Sequence, residues 1–567
     1  MPPIRLLRTL GLALALTGTS LPAAAQDGLA GAYLAARTAD MSGDYRAVVE
    51  YGTRALARDP DNLGLMEGLI MAEMGLGEIA AAVPVARRLT GLEDHNQVAG
   101  LVLIADAMQR EDWAVVEEML DAGTTVGLFL DQMIRAWTAI GEGQVNRAIG
   151  LFDDLAKDDA VGDAALFQKA LALAQVGDYE GAARILGGED KVLQLNRAGV
   201  VAYAQVLSQL ERNPDAVALL DSAFPDTTDE ELLTLRDELA AGKPIPFSAV
   251  SGARGGLAQL FYEVGQSLLG DADPGLVLIY ARIAQHLDPN HVGAALVAAQ
   301  VFEEMGNDEL AAEAYARVPE TDRGYPQAQL GRATALRRMG EIDETLAVLE
   351  ALAAKRPELA AVHASIGDTL RFEQRFEEAT PHYDAAIALY IEDLPGQWSV
   401  YFARAITLER QGRWDEAEAD FRHALELFPD QPSVLNYLGY SYVEQRRNLD
   451  EALGMIQRAV AARPYDGYIR DSLGWVYYRL GRYDEAVEEM VRAVELLPLD
   501  PVLNDHLGDT FWAVGRKREA DFQWRRALSF VTDDTNLEEL NPDRIRRKLE
   551  VGLDAVLEEE GGEPLRK

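Results

Sequence analysis

Residues 471–498 read DSLGWVYYRLGRYDEAVEEMVRAVELLP, and they place Gly474, Ala486, Ala493 and Pro498 at steps of 12, 7 and 5 residues. The same spacing recurs one period downstream in DHLGDTFWAVGRKREADFQWRRAL, at Gly508, Ala520 and Ala527. Upstream, Ala405, Ala417, Ala424 and Pro429 keep the same steps of 12, 7 and 5. The unit between, with Gly439, Ala452, Ala459 and Pro464, carries one extra residue in EQRRNLDEA, read as an insertion in a turn. A fixed period of this length marks an array of stacked repeats.

Within one unit, Leu473, Val476, Tyr477 and Leu480 are apolar at helical spacing. The chain turns at Gly481 and continues with Met490, Ala493 and Leu497 on a second apolar face. Gly412, Gly481 and Gly515 hold the place just past a first helix, where a left-handed residue is needed. Small residues at Gly474, Ala486 and Ala493 let two short helices cross closely, and the closing Pro stops the second helix. Each unit is therefore a helix-turn-helix whose leftover apolar face only a neighbouring unit can bury.

At SLGWVYYRLGRYDEA and HLGDTFWAVGRKREA the chain resembles the tetratricopeptide repeat family, with its Leu-Gly, aromatic, Ala and terminal Pro pattern. The resemblance covers residues 398–530 and implies an all-α, right-handed superhelical solenoid. Ala36, Val48, Ala55 and Pro60 meet the same steps, as do Ala333, Thr345, Leu352 and Pro357. With weaker units such as QVGDYEGAARIL and MGNDELAAEAYARV, about 13 or 14 helix pairs are expected over the chain. The organisation read from this is an N-terminal array over 26–224, an irregular connection over 225–256, a central array over 257–397, well-matched repeats over 398–530, and a capping helix with a frayed tail over 531–567. The connection is read from the Pro and Gly content of AAGKPIPFSAVSGARGG. The cap NPDRIRRKLEVGLDAVLEEE reads as the solvated end that a solenoid needs.

Residues 1–25 have Arg5 and Arg8 before an apolar run from Leu10 to Leu16, then small residues at Ala23 and Ala25. That is the pattern of a secretory signal peptide cleaved after Ala25, and the run is short for a membrane span. The chain has no Cys, which excludes disulfides, thiolate metal sites and a lipidated N-terminal Cys. A soluble periplasmic protein, without membrane insertion after cleavage, is the expectation. The formal charge of -40 becomes about -42 once Arg5 and Arg8 are removed. Such a balance opposes binding to nucleic acid or to an anionic membrane, and it suits a basic partner.

No catalytic motif stands out. The zinc-protease, phosphate-loop and nucleophile-elbow patterns are missing from the sequence. Seven His are scattered without ligand spacing, so no metal, cofactor or catalytic residue is assigned, and no stretch is left over for a catalytic domain.

The family resemblance implies instead a concave face, lined by the first helix of each pair, that binds other proteins or extended peptides. Setting aside the packing residues leaves Tyr437, Tyr440, Asp471, Trp475, Tyr478, Asp505, Asp509 and Trp512 as the candidate partner-binding set. Aromatic rings with a polar tip suit peptide capture, although packing within the solenoid is an equal alternative. The Lys, Arg and Asn clamp of the chaperone-binding family members is replaced here by Tyr437, Tyr440, Asp471 and Trp475, which points away from chaperone tails. The last quarter of the chain is also similar to bacterial envelope repeat proteins that present substrates to a carboxyl-terminal processing protease. That resemblance implies a periplasmic protease and its substrates as partners. The sequence thus reads as a non-catalytic envelope scaffold or adaptor, with a structural subunit of an envelope export or assembly complex as the alternative.

Overall fold

A computed structural model describes residues 29–561 apart from 94–95, 190, 226, 228, 533–534 and 536–539. The signal-peptide reading of residues 1–25 lies outside the described residues. Among the described residues there are thirty-one α-helices, one short 3-10 turn and no strand. The helices exceed fourteen pairs by three. They fall into two compact units that divide between Glu341 and Ile342.

The N-terminal unit opens with six successive pairs. These are α1 (Leu29–Met41) with α2 (Tyr45–Leu56), α3 (Leu63–Leu76) with α4 (Ile79–Leu92), and α5 (Gln97–Gln109) with α6 (Trp113–Asp121). Then come α7 (Leu128–Gly141) with α8 (Val145–Leu155), α9 (Gly162–Gln175) with α10 (Tyr179–Leu186), and α11 (Arg197–Gln209) with α12 (Asn213–Ala223). A single helix, α13 (Glu230–Ala240), lies within the stretch 225–256. It is followed by α14 (Gly252–Leu268), α15 (Pro274–Leu287), α16 (Val292–Glu304), α17 (Asp308–Ala316) and α18 (Tyr325–Met339).

After α13 the chain turns back along its own first helices. Beside α11, Gln205 Nε2 donates to Ser248 Oγ and the Ser248 amide donates to Gln205 Oε1, both at 3.0 Å. Next, α14 packs on α9 and α7, and α15 packs on α5 and α3. Gly256 on α14 sits against Trp137 of α7, where a Cβ would meet the ring at 2.4 Å. Trp137 is wholly buried and donates to Gln168 Oε1 of α9 at 2.8 Å, while Gln168 Nε2 donates to Glu263 of α14 at 2.8 Å. Burial pushes the Glu263 carboxyl up to about 7, because a carboxylate without water is costly even with hydrogen bonds from Gln259 and Gln168. The return ends at α2, where Arg46 forms ion pairs with Glu309 and Glu313 of α17 at 2.7 and 2.6 Å. Of these first helices α3 is apolar nearly all round: it buries Leu65, Met66, Leu69, Ile70 and Met74, as a helix covered on several sides must.

The C-terminal unit begins with α19 (Ile342–Lys355) and α20 (Ala360–Phe372) with α21 (Phe376–Ala388). Four pairs carry the repeat that opened the sequence reading: α22 (Trp398–Arg410) with α23 (Trp414–Leu427), α24 (Pro432–Glu444) with α25 (Leu449–Ala462), α26 (Gly467–Arg479) with α27 (Tyr483–Leu496), and α28 (Pro501–Ala513) with α29 (Lys517–Ser529). Two helices close the chain, α30 (Pro542–Val551) and α31 (Leu553–Glu559).

The repeat positions have the roles their chemistry suggests. A Cβ on Gly439, Gly474 or Gly508 would meet Ile456, Met490 or Trp524 at 2.8, 2.7 or 2.4 Å, so each pair crosses where a side chain is missing. Gly412, Gly481 and Gly515 adopt φ of +74°, +74° and +79°, the left-handed turn conformation. The extra residue of EQRRNLDEA falls between α24 and α25, and there Arg446 and Asn448 take positive φ in place of a glycine.

Candidate binding surface

Successive first helices of the C-terminal unit are joined by acidic and aromatic contacts. Tyr437 Oη of α24 donates to Glu409 of α22 at 3.2 Å, and Trp475 Nε1 of α26 donates to Glu444 of α24 at 2.7 Å. His506 Nδ1 of α28 lies 3.0 Å from Asp471 Oδ2 of α26. Trp512 Nε1 of α28 donates to Asp554 of α31 at 3.0 Å. The first three contacts bridge one repeat to the next and the fourth reaches the closing helix α31, so one polar ladder runs along α22, α24, α26 and α28.

The upper end of this ladder is sealed by the chain itself. Lys548 of α30 is buried, and its Nζ donates to Asp505 at 2.9 Å and to Asp509 at 2.6 Å. Arg544, one turn earlier, stands 3.6 Å from Asp509 and is held at 2.7 Å by Glu560 of the terminal turn. The inner face of α30 is thus buried at Ile545 and Lys548, while its outer face is solvated. Burial pushes the Asp509 carboxyl up; Lys548 pulls it back and neighbouring Asp505 pushes it up further.

His506 occupies the middle of the ladder. Its ring stacks on Trp475 at 4.2 Å between centroids, and Trp475 in turn stacks on Tyr478 at 4.9 Å. Burial opposes the imidazolium, but the charge and hydrogen bond of Asp471, with Asp505 and Asp509 beyond, outweigh it and hold the group at about 9. The ordinary value is near 6.5, so the stabilisation from the charged His506 is fully present below about pH 6.5 and is lost as pH rises through about 9. Amide protection of α26 and α28 should accordingly fall between about pH 6.5 and 9 after correction for intrinsic exchange. His506→Gln should flatten that slope, and an unchanged slope would assign it to another group.

Of the eight residues singled out in the sequence, Asp505 and Asp509 face Lys548, and Asp471 faces His506. Tyr478 is buried beneath Trp475, and Trp512 lies against Trp524 and Gly552. Tyr437 packs on Phe402 and Phe421. Tyr440 and Trp475 are half-buried, neighbours in register on α24 and α26. The groups that join them, His506, Lys548, Glu409 and Glu444, were not singled out in the sequence. Lys548 carried a signal: it is in helical phase with Ile545 and next to Leu549, a cation placed on an apolar stripe.

Repeat register separates the occupied part of the ladder from the open part. Asn436, Asp471 and Asp505 hold one position in three successive repeats. Asp471 has His506 and Asp505 has Lys548, but the buried Oδ1 of Asn436 has no hydrogen-bond partner. On the next first helix, the buried Nε of Arg479 is also without one. Buried polar atoms are seldom left unpaired, and two of them flank Tyr440 and Trp475.

Family models described as tetratricopeptide repeat match residues 357–430, 402–467 and 438–501. A TPR repeat-containing protein of Pseudomonas aeruginosa is 27% identical over 184 residues, which is 32% of this chain and 30% of that protein's length. Among solved structures, the Cut9 and Hcn1 hetero-tetramer of the APC/C superposes with a TM-score of 0.39 at 14% identity, over 92% of this chain and 96% of that one. YrrB, a TPR protein with an unusual peptide-binding site, gives 0.28 at 18% identity, over 33% and 94% of the two chains. Every regular element among the described residues is helical, and residues 357–501 match models of the tetratricopeptide repeat.

Proposed function

We propose that this protein is a non-catalytic scaffold of the bacterial cell envelope that binds an extended segment of a partner protein along α24 and α26. Tetratricopeptide repeats generally mediate protein-protein interaction, and the observation that carries this particular reading is the unpartnered pair of Asn436 Oδ1 and Arg479 Nε beside Tyr440 and Trp475. Such atoms suit a peptide backbone, which offers both a donor and an acceptor at every residue. Glu409 and Glu444 give the surface an acidic border, so the favoured segment is basic or neutral.

The N-terminal unit supports a division of labour. The faces of α3, α5, α7 and α9 that first helices present to ligands in this family are covered by α14 and α15, which leaves that unit as a spacer. The reading of residues 1–25 as a signal peptide supports an envelope location, and the resemblance read in the last quarter makes a periplasmic processing protease and its substrates the partners to look for. A permanent place in an export or assembly complex is the second reading, favoured by the spacer-like N-terminal unit.

The test is affinity capture of residues 26–567 from an envelope extract of the source organism, repeated with Tyr440→Ala and Trp475→Ala together. The double variant should lose the captured partner by at least about tenfold, as truncation of two anchors does, while its helical circular dichroism stays unchanged. A protease recovered with its substrates supports the adaptor. One stoichiometric export complex supports the structural role, and equal capture by the variant removes α24 and α26 as the binding surface.

A further inference from the structure

Within the N-terminal unit, α2, α15, α17 and the turn after α3 enclose a cleft of about 320 Å³, lined among others by Arg46, Leu76, Glu78, Arg282, Glu313 and Arg317. That size falls at the lower end of small-molecule sites. Arg282 is the unusual member. It is only 3% exposed, yet among the described residues it forms no ion pair. Its Nε donates to the Gly75 carbonyl at 2.9 Å, its Nη1 donates to Gln285 at 2.7 Å, and its guanidinium lies 5.2 Å from the centre of the Phe302 ring. These contacts hold the group in one orientation without neutralising it. A buried charge without a counter-charge is costly, and it is rarely kept without a use.

Arg317 lines the same cleft and also has no ion pair among the described residues, although the formal charge of the chain is -40. The two guanidiniums repel each other: burial first, and Arg317 second, bring Arg282 down to about 10. Of the acids at hand, Glu313 offsets burial and the Arg317 charge only in part. Glu313 is taken by Arg46 at 2.6 Å, and Glu78 is exposed, where water screens it. The rest of the lining includes Val49, Leu310 and Ala314, an apolar wall next to the two cations.

We propose that this cleft binds a small organic carboxylate with a short apolar body, its carboxylate bridging Arg282 and Arg317. Guanidinium groups match carboxylate geometry, and the apolar wall favours an organic acid over inorganic phosphate. The site is separate from the proposed protein-binding surface, and neither reading depends on the other.

The experiment is isothermal titration of the full chain with 4-methylpentanoate, its uncharged amide 4-methylpentanamide, and inorganic phosphate. Saturable binding of the carboxylate at millimolar concentration or below is expected, with no binding of the amide and no competition from phosphate. Arg317→Gln, at an exposed position, should weaken the carboxylate at least tenfold while leaving the melting curve in place. Equal binding of amide and acid, binding of phosphate alone, no saturable binding, or an unchanged affinity in Arg317→Gln would each overturn the proposal.

Discussion

Trp137→Ala will remove about 3–5 kcal/mol from the N-terminal unit, the cost of deleting a fully buried large aromatic. The side chain is wholly buried where α7, α9 and α14 meet, and its ring packs edge-on against Phe152 at 6.1 Å between centroids. Its loss also leaves Gln168 Oε1 without the donor it has at 2.8 Å. Because Gly256 packs directly on the ring, the cavity opens under the returning segment rather than inside one helix pair. The visible result should be loss of amide protection in α14 as well as α7, read by hydrogen exchange and peptide mass. A repeat array unfolds in parts, so a local readout is preferable to one melting temperature. If α14 keeps its protection while α7 loses it, the returning segment does not depend on this contact.

The second large effect is at the other end of the chain. Lys548→Met should cost about 3–5 kcal/mol, because it removes the buried cation between Asp505 and Asp509 and leaves only the more distant Arg544, 3.6 Å from Asp509, to offset them. Lys548 Nζ touches both carboxylates within 2.9 Å, and its side chain is completely enclosed. Protection of α28 and α30 should fall together. Restoring neutrality with Asp505→Asn and Asp509→Asn in the same chain should recover much of the loss, since the penalty comes from the uncompensated charge rather than from the missing bonds. Recovery in the triple variant separates this cause from simple loss of packing, and failure to recover would assign the effect to the fit of α30.

The repeat period is written in small residues and turns, and these are local. Gly474 must be small because Met490 of the very next helix crosses it, and Gly481 must accept a left-handed turn. Both demands are met within one unit, so each unit repeats them and the helix pairs can be read from spacing. Removing the packing residues from a known period left a face of acids and aromatics as the open one, but Asp471, Tyr478, Asp505 and Asp509 on that face are buried.

What could not be read was which of those positions the chain would occupy itself. Asp471, Asp505 and Asn436 are equivalent in register, yet one pairs with His506 of the next repeat, one with Lys548 beyond the last repeat, and one has no partner. The return of residues 244–316 along α11, α9, α7, α5 and α3 is equally invisible to a periodic pattern. Its trace in the sequence was the excess of apolar residues round α3, which a helix with one buried face would not need. Helix pairing is set by contacts between neighbouring helices and is repeated in every unit, so the amino-acid order alone dictates it. The filling of one unit's first helices and the sealing of the other's last repeat depend on contacts between segments far apart in the chain, such as Tyr45 with Met305 and Asp505 with Lys548, which occur once, have no period, and exist only when the chain is folded.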